Sequence, residues 1–113
     1  MRPQALSIAG SDSSGGAGIQ ADLKTFISFG VYGASVITAI TAQNTTGVRA
    51  IYALPTDLVV EQIRAVMEDL HIGAVKTGML PNVECILGIA QEMKKHPYLP
   101  LVVDPVLIST SRW

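Results

Sequence analysis

The chain has 113 residues and a formal net charge of −1, and 49% of its residues are hydrophobic while 15% are charged. Soluble domains average about 25% charged residues, so this composition predicts one small, core-rich domain without a basic surface for nucleic acid. The first residues lack the apolar region of a signal peptide, and the longest apolar stretch is too short to cross a membrane. The single cysteine, Cys85, has no disulfide partner within the chain. We therefore expect a cytoplasmic protein with neither a membrane nor a nucleic-acid partner.

Apolar runs and helical spacings alternate along the chain. The runs predict five strands, at Ala5–Ala9, Ala34–Ala42, Val48–Leu54, Ala74–Met79 and Leu101–Val106. The spacings predict three helices: from about Ala17 to Phe29 with a stop at Gly30, after Pro55 with Thr56 as N-cap, and from Pro81 to the basic segment 94–96. Such alternation is typical of a parallel α/β sheet, and the last run is apolar enough to be buried on both faces.

Each predicted helix has apolar residues at the spacing of one helix face, which we expect to pack on the sheet. These residues are Ile19, Leu23, Phe26 and Ile27 in the first helix, Val59, Ile63, Val66 and Leu70 in the second, and Val83, Ile86, Leu87, Ala90 and Met93 in the third.

Four of the ten glycines lie in the segment Gly10–Gly18, between the first strand and the first helix. Free N–H groups at a helix start favour an anion or another acceptor. A Walker A motif is excluded because Gly16 and Ala17 stand where Lys and Ser/Thr are needed. The stretch 16–21 fits the dinucleotide pattern G-x-G-x-x-A, but no acidic residue lies between Asp22 and Asp57 to hold a ribose. A plain tight turn between strand and helix is the structural alternative.

Polar residues follow the predicted strands. They are the 10–18 loop, Gln43 and Asn44, the 76–79 stretch, and Asp104 with the hydroxyl residues 109–111. Ligands of open α/β sheets bind at the carboxyl ends of the strands. We therefore expect a small-molecule site at this edge of the sheet.

Several of these segments together resemble the hydroxymethylpyrimidine/phosphomethylpyrimidine kinases of thiamine biosynthesis, in the ribokinase-like superfamily. The opening stretch 5–26, ALSIAGSDSSGGAGIQADLKTF, carries the resemblance, and AQNT at 42–45, KTGM at 76–79 and VVDPV at 102–106 extend it. The resemblance implies a three-layer ribokinase-like fold with a mainly parallel sheet. It also implies that residues 1–113 form the N-terminal, substrate-binding half of that fold, without the nucleotide-binding half.

The resemblance further implies an ATP- and Mg²⁺-dependent phosphorylation of 4-amino-5-hydroxymethyl-2-methylpyrimidine and of its monophosphate. The substrate-binding residues that it implies are Gln43, Asp22, Gly10, Ala17, Met79 and Val106. The amide of Gln43 would pair with the donor and acceptor edge of the aminopyrimidine, Asp22 would accept from its amino or hydroxyl group, and the backbones of Gly10 and Ala17 would also contact it. Met79 and Val106 would pack on the ring, while Asp104 is a weak candidate for the metal region.

One departure from the family pattern bears on activity. The family's nucleotide site and its G-T-G-x-x-D motif, whose Asp is the base, have no counterpart in the sequence, and Arg112-Trp113 replaces an expected glycine. We therefore expect a truncated kinase that is inactive by itself, although the full-length family member is expected to be a homo-oligomer. An inactive pyrimidine-binding module or regulator and a dinucleotide-binding oxidoreductase fragment are the alternatives. Taken singly, Asp22 could be a helix-start charge, Gln43 a loop residue and Met79 a core residue.

Overall fold

The computed structural model describes residues 2–104 of the chain. In chain order the elements are β1 (Gln4–Ala9), α1 (Gly18–Ser28), β2 (Tyr32–Ile37), β3 (Ala39–Asn44), β4 (Gly47–Ala53), α2 (Thr56–Asp69), β5 (Ala74–Thr77), α3 (Val83–Met93) and β6 (Leu101–Val103). Four strands form a parallel sheet in the order β2-β1-β5-β6. The predicted α/β class with a mainly parallel sheet is confirmed.

The sheet lies between two helical layers, and the alternation of side chains along β1 shows how. Leu6 and Ile8 are fully buried in one apolar cluster with Val59 and Ile63 of α2 and with residues of α3. Ser7 points to the opposite face, where its hydroxyl reaches α1. Burying each large aliphatic side chain contributes about 1.5–3 kcal/mol, so the α2–α3 side is the main hydrophobic core.

The predicted strand Ala34–Ala42 is wrong as a single element, because it is divided at Thr38 into β2 and β3, which belong to different sheets. Thr38 is fully buried. Its N–H donates to the Ala9 carbonyl at 3.0 Å, its hydroxyl donates to the Met79 carbonyl at 2.9 Å, and its own carbonyl accepts from the Leu54 N–H at 3.0 Å. These long-range bonds turn the chain where the β-branched sequence has no break.

The strands β3 and β4 form a two-stranded antiparallel ribbon outside the main sheet. The predicted strand Val48–Leu54, observed as β4, is therefore not part of a parallel sheet. The register of the ribbon shifts between Ala42 and Gln43, because Ala42 pairs with Ala50 whereas Gln43 pairs with Val48. Arg49 is thus an extra residue on β4, and such a bulge re-aims the side chains around it.

The bounds of α1 and the start of α2 lie within one residue of their predicted positions. Gly30 adopts φ +73° after α1, and its N–H donates to the Ile27 carbonyl at 3.0 Å. The predicted inward position of Ile27 is wrong, since its side chain is 68% exposed. The predicted N-cap of α2, Thr56, is wrong. Pro55 is the N-cap, Thr56 is the first residue of the helix, and no side chain among the described residues makes a capping hydrogen bond.

The helix α3 differs from its prediction in both start and orientation. It begins after the N-cap Asn82, whose side chain accepts from the Cys85 N–H at 2.8 Å, and not at Pro81. The buried side chains are Cys85, Ile89 and Glu92, with Met93 partly buried against the core. The predicted inward residues Val83, Ile86, Leu87 and Ala90 are exposed instead. The inward face is therefore rotated from the expected one.

The strand β5 is shorter than predicted, and among the described residues β6 ends at Val103. β6 lies at the edge of the described sheet, and Leu101, Val102 and Val103 are 46%, 59% and 64% exposed, so within residues 2–104 this strand is not buried on both faces. The predicted remainder of the strand, including Val106, and the hydroxyl residues 109–111 lie outside the described residues. Among the described helices, none combines the length and the apolar character needed to cross a membrane.

Candidate functional site

A pocket of about 450 Å³ opens at the carboxyl ends of β1 and β5. The β1–α1 loop, the first turns of α1 and the β3–β4 ribbon form its other walls. Its lining residues are Ala9, Gly10, Ser11, Asp12, Ala17, Gly18, Ala21, Asp22, Thr41, Gln43, Val48, Lys76, Gly78, Met79 and Asp104. The position agrees with the general location of ligand sites in open α/β sheets.

Most of the site residues expected from the sequence meet in this pocket. Gly10, Ala17, Asp22, Gln43 and Met79 all line it, and so does Asp104. Val106 lies outside the described residues. The arrangement brings together four segments that are far apart in the chain, although which of these residues contact a ligand stays a prediction.

Close packing restricts two glycines of the loop, and at Gly18 the opposing atom belongs to the backbone. A Cβ on Gly18 would lie 2.3 Å from the Gly10 carbonyl oxygen, and Gly18 also has φ +60°. The same Gly10 carbonyl accepts from the Ile19 N–H at 3.0 Å, which fixes the start of α1. A Cβ on Gly10 would lie 2.6 Å from Met79 Cε, so glycine leaves room for the methionine side chain at the pocket wall.

Asp22 lies in a polar cluster with Ser7 and Lys76 that was not predicted from the sequence. Its carboxylate accepts from Lys76 Nζ at 2.8 and 2.9 Å and from the hydroxyl of the buried Ser7 at 2.6 Å. Ser7 and Lys76 are partners in the β1–β5 register, so their side chains share the sheet face that α1 covers. Lys76 is therefore a paired residue whose side chain is only 24% exposed, and its alternating position on β5 was the available signal.

Asp104 contributes to the same cluster from the end of β6. Its carboxylate lies 3.7 Å from Lys76 Nζ, and its side chain is 62% exposed. Within residues 2–104 no group of three His, Cys, Asp or Glu side chains is placed to hold a metal ion. Lys76 binds Asp22 more closely than Asp104, which is a single exposed carboxylate here, so the described residues do not form a complete Mg²⁺ site.

The 10–18 loop supplies its own anion, which the sequence analysis missed. Asp12 is 3% exposed. Its carboxylate accepts from the N–H groups of Ser14 and Gly16 at 2.8 and 3.0 Å and from the Ser14 hydroxyl at 2.7 Å. These two N–H groups are therefore satisfied within the loop, while an anion or another acceptor at the start of α1 stays a prediction. The signal was an Asp followed two residues later by Ser, which is typical of an Asx turn.

The pKa of the Asp12 carboxyl is shifted downward. Burial by itself would raise this pKa, but hydrogen bonds outweigh it, chiefly those from the Ser14 hydroxyl and N–H and also from the Gln43 side chain and the Ala17 backbone. Hydrogen bonds to a carboxylate favour its charged form. Asp12 is thus an ionised structural residue at the pocket wall.

The same loop runs along the free edge of β3 and is bonded to alternate residues of that strand. The Ser11 N–H donates to the Ala39 carbonyl at 2.9 Å, and the Thr41 hydroxyl donates to the Ser11 carbonyl at 2.7 Å. The Gln43 N–H donates to Ser13 Oγ at 2.8 Å, while that hydroxyl donates back to the Gln43 carbonyl. The loop therefore acts as an irregular third strand of the ribbon.

Gln43 and Asn44 are neighbours with different surroundings. Gln43 is half-buried and lines the pocket. Asn44 is exposed, and its side-chain oxygen accepts from the Thr46 N–H at 2.9 Å and from the Thr46 hydroxyl at 2.6 Å. Asn44 thus stabilises the turn between β3 and β4, whereas the amide of Gln43 lies at the pocket wall beside the Asp12 carboxylate.

The sequence matches the family of phosphomethylpyrimidine kinases over residues 12–112. The chain belongs to this family. It is 58% identical over 107 residues to the hydroxymethylpyrimidine/phosphomethylpyrimidine kinase of Rhizobium meliloti, a match that covers 95% of this chain and 40% of the relative. The family resemblance of the sequence motifs is thereby confirmed.

Solved kinase structures agree with this assignment. The phosphomethylpyrimidine kinase of Clostridium difficile matches with a TM-score of 0.89 at 57% identity, covering 99% of this chain and 48% of that one. The pyridoxal kinase of Staphylococcus aureus in complex with AMP-PCP and pyridoxal matches with a TM-score of 0.83 at 36% identity, covering 95% and 40%. The ribokinase-like fold class is thereby confirmed. The chain spans less than half the length of each of these relatives.

Proposed function

We propose that this chain forms the substrate-binding wall of a kinase of thiamine biosynthesis. The substrates are 4-amino-5-hydroxymethyl-2-methylpyrimidine and its monophosphate, and ATP is the phosphate donor. The observation that carries the proposal is the meeting of Gln43, Asp22 and Met79 in one pocket, in a chain that belongs to the phosphomethylpyrimidine kinase family.

The chemistry of the pocket suits an aminopyrimidine. A primary amide offers two N–H donors and a carbonyl acceptor, so Gln43 pairs with the amino group and ring nitrogen along one edge of the ring. Met79 supplies an adaptable apolar contact to the ring. Asp22 accepts from the amino or hydroxyl group while Lys76 balances its charge, and the backbones of Gly10 and Ala17 allow close approach.

ATP use is supported by the AMP-PCP that the Staphylococcus aureus pyridoxal kinase binds. We assign the nucleotide site, the catalytic base and the principal Mg²⁺ ligands to parts of the family fold other than residues 2–104. The described residues bind and orient the pyrimidine, and no proton or phosphoryl transfer is assigned to them. A cytoplasmic location and a homo-oligomer of the full-length kinase remain predictions.

A polypeptide of only these 113 residues should not phosphorylate hydroxymethylpyrimidine. Phosphoryl transfer depends almost entirely on positioning and on stabilisation of charge, and the resemblance assigns both tasks to the glycine-rich G-T-G-x-x-D motif, which the sequence lacks. The purified polypeptide, ATP, Mg²⁺ and substrate are incubated together, with the Rhizobium meliloti kinase as positive control. Saturable, ATP-dependent product above a no-protein control would contradict this expectation.

The binding role predicts unequal effects of two neighbouring substitutions. Gln43→Ala should weaken aminopyrimidine binding by about 1–3 kcal/mol, because loss of a paired amide leaves polar groups of the bound ligand unsatisfied. Asn44→Ala serves as the matched control, since its side chain bonds only within the ribbon turn. Calorimetric titration with the aminopyrimidine measures both affinities, and pyridoxal tests selectivity. Equal losses for the two variants would remove Gln43 from its assigned role.

The alternative function is a pyrimidine-binding module or regulator without catalysis. It requires the same pocket and predicts the same order of the Gln43 and Asn44 variants, so binding does not separate it from the kinase. Activity of the polypeptide together with separately expressed residues of the nucleotide-binding part of a relative does separate them. Restored turnover supports the kinase, whereas tight binding without turnover favours the module.

A further inference from the structure

We propose that Ser13 is a positioning residue, whose hydroxyl holds the backbone of Gln43 so that the Gln43 amide faces the pocket. We call the two hydrogen bonds between the Ser13 hydroxyl and the Gln43 backbone the latch. The latch is argued from geometry alone, whereas its effect on ligand binding rests on the proposed function. The Ser13 hydroxyl accepts from the Gln43 N–H at 2.8 Å and donates to the Gln43 carbonyl, so one side chain binds both backbone polar groups of the residue.

The strand pairing explains why Gln43 needs such a partner. The ribbon register shifts between Ala42 and Gln43, with Arg49 as the extra residue on the facing strand. A bulge disrupts the ladder locally and makes the side-chain direction depend on other contacts. On the opposite edge of β3 there is no further strand among the described residues, and the 10–18 loop takes that place.

Hydrogen bonds anchor the loop on both sides of Ser13, so the loop can act as the fixed partner of Gln43. Asp12 ties the N–H groups of Ser14 and Gly16 together, and the Gln20 side chain accepts from the Asp12 N–H at 2.8 Å. Ser11 binds Thr41 two residues before Gln43. Ser13 therefore adds one further link between this anchored loop and β3, and the link is at Gln43, a residue of the pocket.

The test compares Ser13→Ala with Ser13→Thr, which keeps the hydroxyl. Ser28→Ala is the matched control, because the Ser28 hydroxyl bonds only to the Thr25 carbonyl at the end of α1. Amide hydrogen exchange of Gln43 is the readout that needs no ligand. We expect Ser13→Ala to speed this exchange about fivefold, the effect of losing one modest hydrogen bond. Exchange at Thr41, whose N–H donates to Ser11 Oγ, should be unchanged.

Aminopyrimidine affinity provides the second readout. Ser13→Ala should weaken binding about fivefold in the wild-type background, and Ser13→Thr should restore most of it. In a Gln43→Ala background the same Ser13→Ala change should have almost no effect, because residues that act as a unit are not additive. A general loss of structure would instead lower affinity in both backgrounds.

The outcomes separate the latch from the proposed function. Unchanged Gln43 exchange in Ser13→Ala overturns the latch, whether or not the pyrimidine binds. Faster Gln43 exchange with equal affinity losses in both backgrounds overturns the positioning role. Faster Gln43 exchange in a protein that binds no aminopyrimidine supports the latch and overturns the proposed function instead.

Discussion

Gly18→Ala should destabilise the fold by about 2–5 kcal/mol, because it adds a backbone clash to an unfavourable backbone conformation. The new Cβ would lie 2.3 Å from the Gly10 carbonyl oxygen, and Gly18 adopts φ +60°. The atoms that must move are backbone atoms of a loop that also holds the start of α1. No side-chain rearrangement can relieve the contact, so we expect the pocket to be lost together with the stability.

Gly30→Ala is the control that separates the two causes. Gly30 has φ +73°, but nothing lies within 4 Å of a Cβ built there. It should therefore lose only the left-handed preference of glycine, about 1–2 kcal/mol. Urea unfolding of both variants, followed by circular dichroism, gives the comparison. Equal losses for the two would show that the close approach of Gly18 to Gly10 contributes nothing.

Replacing Asp12 should have the second largest effect. Asp12→Ala leaves the N–H groups of Ser14 and Gly16 without their acceptor, and hydrogen bonds to a charged group contribute more than neutral ones. We expect a loss of about 2–4 kcal/mol in the free energy of unfolding. Asp57→Ala is the control, because Asp57 is exposed and accepts only from the Leu58 N–H. It should lose no more than about 1 kcal/mol.

The effect of Asp12 should also depend on pH. Its folded-state pKa is lowered, so its ionised form stabilises the folded protein above the pKa of the unfolded chain. That stabilisation is lost as the pH falls through the folded-state pKa. The stability difference between wild type and Asp12→Asn should therefore be largest near neutral pH and shrink below about pH 4. A difference that stays constant from neutral to acidic pH would contradict an ionised Asp12.

The sequence predicted the strand–helix alternation and the side of the sheet that carries the pocket, because both follow from local patterns. It did not predict the division at Thr38, since the run of β-branched residues around it has no glycine or proline. The turn is produced by bonds from Thr38 to Ala9 and Met79. These contacts depend on the tertiary fold, and single-sequence patterns contain no information about them.

The orientation of α3 shows a different limit. Its sequence is apolar nearly all round, so two faces fit the helical spacing equally well. The observed face is favoured by the close contact of Gly88 with Thr56 of α2, where a Cβ would lie 2.7 Å from the threonine methyl. It also buries Glu92, which Arg64 and Lys95 contact at 2.9 Å. Because glutamate is usually exposed, the sequence gives no sign that Glu92 is buried between two cations.

The candidate site was predicted best where a motif supplied the residues. Gln43, Asp22 and Met79 lie in the pocket as expected, although their roles remain untested. Asp12 and Ser13 were missed as individuals, because their partners are the backbone of their own loop and of β3. Such backbone partners become visible only when the loop and the ribbon are seen side by side.

The central place of β1 has a consequence for how the chain acquires its structure. Leu6 of β1 pairs with Ala34 of β2 on one side and with Val75 of β5 on the other. The first strand of the chain is therefore fully paired only after β5 has been synthesised. Pairings between distant segments slow folding, because the entropy of closing a long loop must be overcome first. During synthesis β1, α1 and β2 can associate early, but one edge of the most deeply buried strand stays open until β5 emerges. In that interval the open strand edge of the nascent chain is exposed to mispairing.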